Sequence, residues 1–206
     1  MIQNMFHAFA EYKFLTLILA IAVVLAILVW IKALRASKKH SAAREAVLAK
    51  MREEKALRER YAHLTAELIQ TSDAKEMLHG IALGIQSQLE KEDNVDIAFA
   101  MLHETQQFVY ALNFVFCEDA DTLSRFFRLN GKPLTAVALR AAREVFDETT
   151  LSLFETGYKM FDEEDETTSS LPDDVDALDR AFAAADKQAL FENIRAYIAQ
   201  HIETLS

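Results

Sequence analysis

Glycine and proline are scarce in this chain of 206 residues. It holds four glycines (Gly80, Gly84, Gly131, Gly157) and two prolines (Pro133, Pro172). Turn-rich β architectures use far more of both, because these residues supply the dihedrals of tight turns. Alanine, leucine and glutamate are abundant instead, and all three favour helix. The chain therefore reads as all-α. Cysteine is scarcer still: Cys117, in "FVFCEDA", has no second cysteine to pair with. That excludes an internal disulfide and any CxxC metal or redox motif. It reads as a buried, inert thiol, which fits a reducing compartment.

Sequence signatures of catalysis are missing as well. There is no GxSxG, no phosphate-binding P-loop and no GxGxxG. "HETQQ" begins at His103 as a zinc-protease motif does, but it has Gln107 where the second histidine is needed. The six histidines (His7, His40, His63, His79, His103, His201) are scattered. No catalytic residue, cofactor site or metal site is assigned, and the chain is not expected to be an enzyme. Gly80 and Gly84 form a GxxxG outside any apolar run, which marks close helix packing.

One long apolar run is present. Phe14 to Ile31, "FLTLILAIAVVLAILVWI", is eighteen residues with only Thr16 as a polar interruption. A helix of that length spans about 27 Å, close to the hydrocarbon thickness of a bilayer. Tyr12 and Trp30 lie near its two ends, where aromatic rings favour the membrane interface. A buried core helix is the alternative, but such helices rarely lack charge on every face for so long. Lys32, Arg35, Lys38 and Lys39 follow the run, whereas Lys13 before it is offset by Glu11. Positive flanks stay on the cytoplasmic side, so the N-terminus is expected outside and the bulk of the chain in the cytoplasm. A cleaved signal peptide would carry its charge before the run. The four cations are also placed to lie against anionic headgroups.

The resulting plan is a tail (1–13), a transmembrane helix (14–31), a basic juxtamembrane segment and helical stalk (32–70) and an acidic all-α domain (71–206). The stalk contains no glycine or proline, and Leu57, Tyr61, Leu64 and Leu68 form a stripe spaced four, three, four. The stripe breaks at Glu54 and Lys50, short of a sustained coiled coil. A homo-oligomer through this stalk is one open reading. In the domain, Asp73 and Glu76 have the spacing of a capping box. The helix that follows presents Leu78, Ile81, Ala82, Ile85 and Leu89. "KEDN" at 91–94 breaks it. A second amphipathic run carries Ile97, Met101, Leu102, Thr105, Val109, Leu112 and Phe116. Shorter helices are expected over about 121–129 (stopped by Asn130-Gly131), from Pro133 to about Phe146, and over about 148–161. Two more begin at Pro172 and after Asp186. Apolar positions at this spacing are read as core rather than as ligand contacts.

Charge divides the chain. Residues 1–60 carry eleven Lys/Arg and five Asp/Glu, whereas 61–206 carry eleven and twenty-seven. Such an acidic remainder argues against direct nucleic-acid binding, which needs cations to displace phosphate counterions. The densest stretch, "FDEEDETTSSLPDDVD", holds Asp162, Glu163, Glu164, Asp165, Glu166, Asp173, Asp174 and Asp176 and no base. It is either a solvated loop or an acidic surface for a basic protein partner, one that Glu144, Asp147 and Glu148 extend.

"FFRLNG" (126–131), "ALRAAREVFDETTLSLFETGYKMF" (138–161), the acidic segment, "ALDRAF" (177–182) and "LFENIRAYI" (190–198) follow one another in an order that resembles the family typified by a bacterial DNA-mimic protein. The likeness covers roughly the last hundred residues and neither the anchor nor the stalk. Where that family has an Asn-Gly-Gly turn before the aromatic pair, this chain has "EDADTLSRFF". The resemblance implies an acidic helical domain whose carboxylates imitate duplex phosphates and occupy a DNA-binding protein, and it implies a bacterial inner membrane as the setting. Three readings follow: a membrane-anchored interaction module, a structural subunit of a membrane complex, and an immunity-type inhibitor of a basic toxin.

Overall fold

Side-chain caps decide where most of the helices begin. The computed structural model describes residues 44–118, 122–162 and 171–205, and among these every regular element is a helix. Residues 44–60 form α1. It is followed by α2 (Ala66–Thr71), α3 (Ala74–Leu89), α4 (Val95–Met101) and α5 (Glu104–Asn113). A π turn (Phe114–Glu118) leads to α6 (Leu123–Leu129), α7 (Leu134–Val145) and α8 (Glu148–Phe161), and the chain closes with α9 (Pro172–Ala183), α10 (Lys187–Gln200) and α11 (Ile202–Leu205). Thr65, Asp73, Asn94, Thr122, Asp147 and Asp186 each accept a backbone N–H of the first turn that follows them. Those donors have no partner within the helix, so each cap both starts the helix and satisfies it. Asp73 caps as the sequence suggests. Helix α6 stops when the Asn130 side-chain amide donates to the Phe126 carbonyl at 2.9 Å.

The chain divides into two compact units, Met1–Arg52 and Glu53–Ser206. Of the first, the described part is helical, with Val47, Leu48 and Met51 exposed. The apolar run 14–31 lies outside the described residues, as do Lys32, Arg35, Lys38 and Lys39. Among the described residues no helix is long and apolar enough to cross a membrane.

The second unit is built on α3, α5, α7 and α10, which pack on one another, and on a neighbouring group of α6, α8 and α9. Phe154 of α8 is fully buried where the groups meet, with ring centroids 5.1 Å from Phe127, 5.7 Å from Phe146, 5.9 Å from Phe126 and 6.5 Å from Phe182. Polar links tie the helices together. Arg195 of α10 donates to the Gln70 and Ser72 carbonyls at 3.3 and 2.8 Å, and Asn193 donates to the Val145 carbonyl at 3.0 Å.

Two sequence expectations change here. The helix of the expected stalk does not run to Gln70. It ends at residue 60, and the stripe Leu57, Tyr61, Leu64, Leu68 becomes part of the domain: Tyr61 and Leu64 are buried, and Leu57 and Leu68 pack against the core. Tyr61 lies against Gly80 of α3, and its hydroxyl donates to Glu76 at 3.0 Å. The GxxxG thus admits one ring rather than a whole helix. A Cβ on Gly80 would sit 2.2 Å from Tyr61 Cδ2, whereas one on Gly84 would meet nothing within 4 Å.

The second amphipathic run is two helices, not one. Leu102 turns extended, and His103 opens α5 with a full capping box: its Nδ1 accepts from Thr105 N–H, and its own N–H donates to Gln106 Oε1. Ile97 and Met101, expected in the core, are exposed. The rotation lost at the break takes them off the buried face of α5.

Candidate docking surfaces

Most of the acidic candidates lie on helix ends, and each end has its own chemistry. Asp147 is the N-cap of α8. Its Oδ1 accepts from the Thr149 and Thr150 N–H groups at 3.0 Å, and its Oδ2 from the Thr150 hydroxyl at 2.6 Å. The Thr150 hydroxyl and then its N–H hold the Asp147 carboxyl below the ordinary carboxylate range. The folded-state pKa is depressed, so this contribution is present above the unfolded value of about 4 and is lost as pH falls through the folded one. Asp147→Ala is expected to cost about 1 kcal/mol at neutral pH. In thermal melts the difference from wild type should shrink steadily as the pH is taken below about 4.

Asp162 is the C-cap residue at the other end of α8. The fourteen residues of α8 separate it from Asp147 and Glu148 by about 20 Å. Glu163, Glu164, Asp165 and Glu166 lie outside the described residues. Asp173 and Asp174 occupy the first turn of α9 behind Pro172, where the helix dipole favours negative charge by about 0.3–1 kcal/mol. Asp176 is exposed on the same helix. Glu144 of α7 points its field elsewhere. After burial, Glu144 and Glu104 both help to raise the Tyr197 hydroxyl pKa, which places Glu144 on the α5–α10 side. Asp173, Asp174 and Asp176 therefore share the start of α9, Asp162 ends α8 with its Oδ2 buried, and Glu144 and Asp147–Glu148 lie on other helix ends. Glu144, Glu148, Asp173, Asp174 and Asp176 are exposed, and among the described residues their carboxylates enter no ion pair.

The chain matches no protein-family model, no curated protein and no solved structure.

Two features escape sequence reading. The first is Asp179 in "ALDRAF". It accepts the Ser124 N–H at 2.8 Å and the Ser124 hydroxyl at 2.6 Å, so it clamps α9 to the start of α6. Nothing in the spacing of fifty-five residues announces that pair. The second is an open groove of about 460 Å³ between the end of α3, the 90–94 linker and α4. Leu89, Ile97, Ala98, Met101 and Leu102 supply its apolar wall, and Glu92 and Asp93 stand at its rim. Of the seven residues of α4 only Phe99 is buried. Met101 is 81% exposed, Ile97 59% and Val95 49%. Leaving such side chains in water forgoes about 1.5–3 kcal/mol each relative to full burial. The caps at Asn94 and His103 leave α4 only seven residues, two turns, too few to bury a broad face.

Proposed function

We propose that the chain is a membrane-anchored protein-interaction module. Its span crosses at 14–31, its acidic domain faces the cytoplasm, and that domain holds a basic protein partner near the inner leaflet. The observation that carries this reading is the set of exposed carboxylates at the start of α9, Asp173, Asp174 and Asp176. Among the described residues they enter no ion pair, and they follow Asp162–Glu166 in the chain. Fixed negative charge of this density attracts the Lys/Arg face that a DNA-binding protein presents to phosphate. The resemblance to the DNA-mimic family supports the specific version, a regulator that occupies such a protein.

The test uses the full chain in detergent as bait, because Tyr61 and Leu64 belong to the core and a fragment begun after them would lose part of it. A basic DNA-binding protein should be retained at low salt, released at high salt and displaced by duplex DNA. It should be lost when Asp162 to Glu166 are changed to Asn and Gln. Retention that ignores salt, DNA and those substitutions contradicts the reading. The second reading, a structural subunit of a membrane complex, is supported by the exposed Val47, Leu48 and Met51 of α1. It predicts a stoichiometric assembly that survives high salt.

A further inference from the structure

The groove beside α4 is separate from the α8–α9 acids, and it combines two properties. Its wall is apolar and exposed: Ile97 and Met101 project beside Leu89 and Leu102 without being covered. Its surroundings are negative. From Glu90 to Glu104 the chain carries five acids, Glu90, Glu92, Asp93, Asp96 and Glu104, against one cation, Lys91. Glu104 is matched by Arg140 at 2.7 Å, and Glu90 accepts from the Gln86 amide at 2.9 Å. Glu92 and Asp93 remain at the rim. The volume, about 460 Å³, lies within the range of about 300–1,000 Å³ typical of binding clefts.

We infer that this groove is a docking site for a cationic amphipathic helix of a partner protein, with apolar anchors against Ile97 and Met101 and Lys/Arg residues opposite Glu92 and Asp93. The charge pattern selects this occupant. An apolar face alone fits any hydrophobic helix, but an acidic rim admits one flanked by cations and repels one flanked by carboxylates. An exposed methionine suits the role, since its flexible thioether adapts to varied partner side chains. Anchors one helical turn apart on the partner would meet Ile97 and Met101, which are themselves four residues apart. The adjoining cleft, which shares Gln88 and Gln106 with the groove, carries Arg58 and Lys91 against Glu59 and is net positive where the groove is net negative. That cationic end gives the docked helix a direction, with its basic residues toward Glu92 and Asp93. The inference rests on reading the chain as an interaction module, and it supplies that module with a second contact surface.

The test measures binding of a labelled Leu/Lys amphipathic helix of about five turns to the full chain in zwitterionic nanodiscs, with empty discs as baseline. A Leu/Glu version of the peptide is the control. Saturable binding of the Leu/Lys peptide alone is expected. Met101→Glu, alone and with Ile97→Glu, should weaken it about tenfold. Glu92→Gln with Asp93→Gln should weaken it less and flatten its salt dependence. These side chains are exposed, so unchanged melting curves should accompany the loss. Equal binding of the two peptides, binding indifferent to the substitutions, or no binding above empty discs overturns the inference. So does a drop in oligomer mass on Ile97→Glu, since a second copy would then cover the groove. If the Ile97→Glu/Met101→Glu protein still binds the Leu/Lys peptide while retaining a basic partner in a salt-sensitive manner, the groove fails and the acidic-surface reading stands.

Discussion

Phe154→Ala is expected to destabilise the second unit by about 3–5 kcal/mol. The side chain is fully buried, and its ring meets Phe126, Phe127, Phe146 and Phe182. Truncation removes the transfer free energy of the ring and leaves a cavity that four large neighbours cannot fill without leaving their rotamers. Aromatic pairing adds about 0.5–1.5 kcal/mol per favourable contact beyond burial. For a unit of this size, thermal unfolding followed by circular dichroism should shift down by about 10 °C. A shift within a degree or two would mean that the packing of α6, α8 and α9 onto α7 does not hold the unit together. Phe154→Leu, which keeps most of the volume, should recover much of the loss.

Two glycines four residues apart on α3 should respond to alanine with opposite signs. Gly80→Ala places a Cβ within 2.2 Å of Tyr61 Cδ2, a separation that carbon atoms do not tolerate. Tyr61 is 3% exposed, and its hydroxyl is bonded to Glu76, so the ring cannot step aside without breaking that bond and pulling the end of α1 off the core. The net cost should be about 1–3 kcal/mol, despite the gain in helix propensity. Gly84→Ala meets no atom within 4 Å, so propensity acts alone and should stabilise by about 0.5–1 kcal/mol. Denaturant melts of the two variants check both signs in one experiment. Equal shifts would mean that Tyr61 does not seat on Gly80.

The contrast shows how far sequence carries. Helix α8 was legible in its extent, because the acidic run ends it, although the capping role of Asp147 was not. The starts of α9 and α10 were legible from Pro172 and Asp186 for the same local reason. The break between α4 and α5 was not, because histidine is an unusual N-cap and the apolar spacing continues across it as though one helix ran through. The end of α1 was equally hidden. No glycine or proline marks it, and the chain turns there because Tyr61 has a site on α3 more than fifteen residues ahead, a tertiary cause that no local window contains. The acids were visible as composition, but their roles were not. Asp147 caps a helix, Asp179 clamps one helix to another, and only some of the rest remain for a partner. The groove escaped for a related reason, since the side chains that line it were read as core.

Where the acidic domain lies relative to the membrane decides whether a nucleic-acid-binding protein can reach it at all. The direct measurement is labelling with a membrane-impermeant maleimide in a Cys117→Ser background, with one cysteine introduced at Asn4 or at Asp174. A single-pass anchor with its domain in the cytoplasm predicts that Asn4→Cys is labelled in spheroplasts and that Asp174→Cys is labelled only after permeabilisation. Labelling of Asp174→Cys in intact spheroplasts would place the carboxylates outside and contradict a cytoplasmic docking surface for such a partner.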